Sequence, residues 1–87
     1  MTTITELKNY LLNADKILFY YQCPYLAFAK SINFIDDDFV KNNPSNFSRM
    51  SMSKMIRFLG IDDMDISNYI YRQIEKGKTL KEISESF

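Results

Sequence analysis

The chain of 87 residues has no histidine, no tryptophan, one cysteine, two glycines and two prolines. Without histidine it lacks the side chain that most often serves as general base near neutral pH. The Ser-His-Asp and Cys-His arrangements and most zinc shells go with it. Cys23 stands alone, so no internal disulfide forms, and a single thiolate cannot complete a zinc shell. With glycine only at Gly60 and Gly77, a glycine-rich phosphate cradle is excluded. Charge of one sign is not in excess either. Eleven Lys and Arg balance eleven Asp and Glu, and the balance holds along the chain: four basic and five acidic residues in 1–43, seven and six in 44–87. A nucleic-acid binder is expected to be basic. Apolar runs are broken by Asp15, Lys16, Gln22, Pro24, Lys30 and Asn33, and none approaches the roughly 20 residues that span a bilayer. Residues 1–6 lack the basic-then-apolar pattern of a secretion signal. These absences predict a soluble cytoplasmic protein of a reducing compartment, with no cofactor, no bound metal and no enzymatic reaction.

What the chain has in quantity is apolar and aromatic surface. Hydrophobic residues make up 46%, too many for a disordered chain. Phe19, Tyr20, Tyr21, Tyr25, Phe28 and Phe34 crowd one stretch, among Ile17, Leu18, Leu26 and Ile32. A helix through it points apolar groups in nearly every direction, so some of them face either the rest of the chain or a partner. The bias toward Ile, Lys, Asn, Tyr and Phe fits an AT-rich bacterial or mobile-element gene.

The pattern predicts one all-α domain over residues 1–87, a compact bundle of five to seven short helices with no sheet. Thr3 and Glu6 form a capping box for the first helix, with Ile4, Leu7, Leu11 and Ala14 on one face. Asn13-Ala14-Asp15 is expected to end it, with Asp15 capping a second helix over 16–22; the aromatic content there also suits a strand, but no pairing strand exists. Pro24 fits a first helical position, opening a helix to about Asn33 that buries Tyr25, Phe28, Ala29 and Ile32. Asp36, Asp37 and Asp38 suit the start of a short helix reaching about Asn42. Asn42-Asn43-Pro44-Ser45-Asn46 reads as a loop. Ser51 is expected to cap a helix carrying Met52, Met55, Ile56 and Leu59, stopped by Gly60. Asp63 or Asp65 caps the next, with Ile66, Tyr69, Ile70 and Ile74 inward and Gly77 at its end. Thr79 and Glu82 form a second capping box, before Leu80, Ile83 and Phe87.

The candidate chemistry is sparse. Neither Asp36–Asp38 nor Asp62, Asp63 and Asp65 fits a calcium loop: Val40 and Asn68 stand where a ligand and the glycine belong. Both groups read as helix caps, with contact to a partner as the alternative. Cys23 reads as a buried, inert thiol, Met52 and Met55 as core, and Met50 as exposed. The tyrosines carry the functional reading, because a tyrosine offers rigid contact area with a polar tip and is enriched at interfaces. The expected partner surface comprises Tyr20, Tyr21, Tyr25 and Tyr71, with Asp36, Asp37 and Asp38 at its edge.

Three functions compete. The first is a small protein-binding inhibitor that neutralises its target by stoichiometric complex formation, as toxin-immunity proteins and phage-encoded anti-defence inhibitors do. A nuclease with a basic groove is one suitable target, its groove facing the aspartates. The second is a helix-turn-helix regulator. Residues 77–84 are similar to the opening helix of many such motifs, but Phe87 closes the sequence before any recognition helix. A pair built from 52–59 and 66–76 would instead offer Asn68, Arg72 and Gln73 to bases, beside Asp62, Asp63, Asp65 and Glu75, which repel phosphate. Specific nucleic-acid binding and membrane association are therefore not expected. The third function is that of a structural subunit or homo-oligomer, whose apolar excess is buried by its own copy.

Overall fold

Helix α1 begins where the capping box places it. The Thr3 hydroxyl accepts from the Glu6 N–H at 3.1 Å, the Glu6 carboxylate accepts from the Thr3 N–H at 3.4 Å, and the helix runs Ile4–Tyr21. A computed structural model describes residues 2–42 and 47–87; among these, six helices and no strand appear. The expected break at residues 13–15 does not occur. Asn13 and Asp15 are poor helix formers, each costing a few tenths of a kcal/mol. Continuing the buried stripe of Leu7, Leu11 and Ala14 to Ile17, Leu18 and Tyr21, which pack against the core, gains more. Asp15 does cap a helix, but a distant one: its carboxylate accepts from the Lys81 N–H of α6 at 3.3 Å. Residues 16–21 are helical as read, and α1 ends at Gln22, which takes the left-handed conformation with φ 54°.

Pro24 occupies the first position of α2, Pro24–Ser31. This helix is two residues shorter than expected, because Asn33 adopts φ 60° and the Phe34 N–H turns back to the Ala29 carbonyl at 2.8 Å. It is the most buried segment of the chain: Tyr25, Leu26, Ala27, Phe28 and Ala29 are all buried, as is Ile32 beyond it. Helix α3, Asp37–Asn42, starts from Asp36, whose carboxylate accepts from the Phe39 N–H at 2.8 Å. The loop expected at residues 42–46 falls, beyond Asn42, outside the described residues.

Helix α4 spans Arg49–Phe58. Its N-cap position is Ser48 rather than Ser51, and the Ser48 hydroxyl makes no capping bond. Met52, Met55, Ile56 and Leu59 are buried as their spacing predicts. Gly60 follows at φ 81°, a conformation that strains any residue with a Cβ. Asp63 caps α5, Met64–Glu75, by accepting from the Asp65 and Ile66 N–H groups. Ile70 is fully buried, with Ile66, Tyr69 and Ile74 half-buried against the core. Gly77, at φ 83°, leads to the Thr79–Glu82 capping box and α6, Leu80–Glu85.

Helix α1 packs against α2 and α6, α4 packs against α5, and α5 touches α6. The helices share one core, running from Leu7 and Leu11 through Phe28 to Met55, Ile70 and Ile83. Serine hydroxyls satisfy main-chain groups between helices: Ser31 donates to the Tyr10 carbonyl at 2.9 Å and Ser84 to the Lys8 carbonyl at 3.0 Å. Ser53 and Ser67 share a hydrogen bond of 3.0 Å between α4 and α5. Among the described residues no buried side-chain polar atom lacks a partner. The radius of gyration, 11.7 Å, matches the value of about 12 Å expected for a compact chain of this length.

Candidate protein-binding surface

The continuous α1 decides which aromatics face outward. Leu7, Leu11, Ala14 and Leu18 follow one stripe along it and turn to the core. At about 100° per residue, Phe19 and Tyr20 leave that stripe and emerge on the far side. Their rings are 82% and 80% exposed, and they stand edge to face with centroids 5.8 Å apart. This is the largest aromatic area that the described residues leave in solvent. Exposed Lys16 lies three and four residues before them, on the same outer face. Tyr20 was among the residues expected at a partner surface. Phe19 was not, because the surface was chosen among tyrosines for their polar tips; a single helical wheel drawn over residues 4–21 places both rings outside.

The other expected residues fall into two separate groups. Tyr21 is half-buried against the core, and its hydroxyl lies within electrostatic reach of Lys30. The Lys30 ammonium makes a 3.0 Å ion pair with Asp37, and that hydrogen bond, with the charges of Asp37 and Asp36 adding to it, holds Lys30 above the ordinary lysine range. The edge of α3 therefore does gather Tyr21, Asp36 and Asp37, with Asp38 exposed beside them. Two of these aspartates already have work in the fold, as cap and ion-pair partner.

Tyr25 and Tyr71 form the second group. Tyr25 is 8% exposed, and its hydroxyl donates to the Glu75 carboxylate at 2.6 Å. Burial first, then that bond and the Glu75 charge, push its phenol well above the usual tyrosine range. Tyr71 was expected at the partner surface. It is instead half-buried, packed on the core with its ring 6.2 Å from that of Tyr25. Spacing alone missed this, because Tyr71 lies off the Ile66–Ile70 stripe and is covered by α2 rather than by the faces that stripe meets. Cys23, half-buried, packs at the same corner.

Grooves also mark the surface of the described residues. One, of 340 Å³, lies over α5 and α6 between Tyr69, Gln73, Lys78 and Glu85; its Tyr69 hydroxyl donates to Ser86 at 2.6 Å and so is already partnered. Another, of 510 Å³, is lined by Arg49, Met50, Ser53 and Met64. Met50 is exposed, as expected. Of the residues considered as base readers, Asn68 is half-buried and accepts from the Arg49 Nε at 2.8 Å, while Arg72 is exposed and Gln73 half-buried. Asp62, Asp63, Asp65 and Glu75 are exposed around them. No group of three or more metal-ligating side chains occurs among the described residues, and none of their helices is long and apolar enough to cross a membrane. No protein-family model, curated protein or solved structure matches this chain.

Proposed function

We propose that this protein works by binding another protein and blocking it in a one-to-one complex, in the manner of toxin-immunity proteins and phage-borne inhibitors of host defence. The observation that carries the reading is the Phe19–Tyr20 pair, two large rings more than three-quarters exposed at the end of an 18-residue helix. Rigid aromatic anchors of this kind dominate protein interfaces, because they bring contact area at a low cost in conformational entropy. Lys16 beside them favours a target whose apolar pocket is bordered by a carboxylate. Tyr21, Asp36 and Asp37 supply the polar margin where the target reaches the edge of α3. A target that is a nuclease would bring its basic groove to that margin.

The test is capture of the target from the native cell with a tagged chain, followed by calorimetric titration of the purified pair. A one-to-one complex is expected. Phe19→Ala or Tyr20→Ala, each with unchanged circular dichroism, should lose about 2 kcal/mol or more of binding, against less than about 1 kcal/mol for Asp36→Asn at the margin. If no protein is captured, or if both folded alanine variants bind as tightly as the parent, the reading fails.

A further inference from the structure

The Phe19–Tyr20 surface leaves the exposed methionines unexplained. Met50, in the first turn of α4, and Met64, which opens α5, are 68% and 52% exposed and line the same open groove of 510 Å³. The charges around it are sorted by sign. Arg49 lies in the groove, and Lys54 and Arg57 follow Met50 by four and seven residues, on its side of α4. Asp62, Asp63 and Asp65 flank Met64 at the start of α5. All six are exposed, and among the described residues no salt bridge joins any of them; the ion pair present there is Lys30–Asp37. Arg49 donates to the neutral Asn68 and Asp63 accepts from backbone N–H groups, so neither charge is compensated by an opposite one.

A partner of uniform charge would meet repulsion from half of this surface. A second copy of the chain would not. About a two-fold axis, three cations on one element and three carboxylates on its neighbour are self-complementary. The formal net charge of zero leaves no long-range repulsion between copies. We infer that the groove between α4 and α5 is the contact of a symmetric homodimer. Met50 and Met64 of each copy enter the groove of the other, and Arg49, Lys54 and Arg57 face Asp62, Asp63 and Asp65 of the opposing copy. Methionine suits this role because its unbranched side chain adapts to its own image. The inference goes beyond the preceding reading and leaves Phe19 and Tyr20 free, so a dimer would carry two copies of the inhibitory surface.

Sedimentation of the purified chain over a wide concentration range tests it. A monomer–dimer equilibrium is expected, weakened at least about tenfold by Met50→Asp combined with Met64→Asp and unchanged by Phe19→Ala combined with Tyr20→Ala. Two charge-reversed variants, Lys54→Glu with Arg57→Glu and Asp62→Lys with Asp65→Lys, should each dimerise about tenfold more weakly, and an equimolar mixture of the two should form a heterodimer tighter than either homodimer. The inference is overturned if the parent stays monomeric throughout, if the dimer survives the methionine substitutions, if it depends on Phe19 and Tyr20, or if the mixture shows no preferential pairing. The measurement needs no partner protein, so its failure is separable from failure of the inhibitor reading.

Discussion

Replacing Tyr25 by phenylalanine isolates one bond between α2 and α5. The ring is retained, and with it the buried area and the stacking on Tyr71, centroids 6.2 Å apart. What is removed is the 2.6 Å bond from the hydroxyl to the Glu75 carboxylate. A hydrogen bond to a charged group contributes about 1.5–3 kcal/mol when both partners are shielded. Glu75 is exposed, and water will replace the lost donor, so the expected cost is nearer about 1 kcal/mol. Against a total stability of about 4–13 kcal/mol for a chain of this length, that is a measurable fraction. It corresponds to a fall in melting temperature of about 4–8 °C. The pH dependence makes the prediction specific. Burial and Glu75 hold the phenol above its ordinary range, so the folded chain keeps this proton where the unfolded chain gives it up. The contribution is therefore fully present below about pH 10, the ordinary tyrosine value, and is lost as pH rises above it toward the folded value. Urea denaturation of the parent and Tyr25→Phe at neutral pH and above pH 10 should show the stability gap closing with alkalinity. A gap that is absent at neutral pH, or that widens as pH rises, would refute the assignment.

Thr79→Ala should cost about 1 kcal/mol by removing the hydroxyl that caps α6, read by thermal unfolding. Hydrogen bonds from the Thr79 N–H and hydroxyl hold the Glu82 carboxyl below the usual carboxylate range, so its contribution is present above that range and is lost as pH falls through the folded value; stability of the parent should fall with acid more steeply than that of Glu82→Gln. Gly77→Ala should destabilise by about 1–2 kcal/mol, because φ is 83° while the space a Cβ would occupy is open, so that backbone strain alone is measured. Asp15→Ala should speed hydrogen exchange at the Lys81 amide and leave exchange in the α1 interior unchanged, since the lost bond belongs to α6.

The parts of the fold that could be read from sequence are those decided within a few residues. The Thr3–Glu6 and Thr79–Glu82 boxes, the Asp63 cap and the stops at Gly60 and Gly77 depend on local hydrogen bonds and dihedral angles, and each lies where the residue types put it. The spacing of Met52, Met55, Ile56 and Leu59 likewise fixed a buried face without knowledge of its neighbours. What could not be read was settled at long range. Asn13 and Asp15 carry local signals for a helix end, and those signals lost to the packing of Ile17, Leu18 and Tyr21, beyond them on the continuous helix, against the core. The role of Asp15 at Lys81 spans 66 residues and leaves no local trace. Ser67 and Ser84 look like surface residues in the sequence, yet both are buried, because each finds one partner on another helix.

The candidate surface follows from the same distinction. A crowded aromatic segment announces that some rings must lie outside the core, but the phase of the helix decides which ones. In this chain the phase is carried unbroken from Leu7 to Leu18, so Tyr21 stops at the margin of the core and Phe19 and Tyr20 remain outside, while Tyr25 and Phe28 reach the core on α2. A phase error of one residue rotates a helix by about 100°, enough to exchange a core ring for an exposed one. Choosing surface rings by their polar tip selected Tyr20 and passed over its apolar neighbour. The exposure of both rings is tied to the length of α1. A variant that broke the helix near Asn13, such as Asn13→Pro, would remove main-chain bonds and also rotate the segment after it, so loss of binding there could not be assigned to the rings. Phe19→Ala and Tyr20→Ala leave the phase intact. With both side chains already in water, their removal should change folding stability by less than about 0.5 kcal/mol, so a loss of affinity in these variants would report on the surface itself.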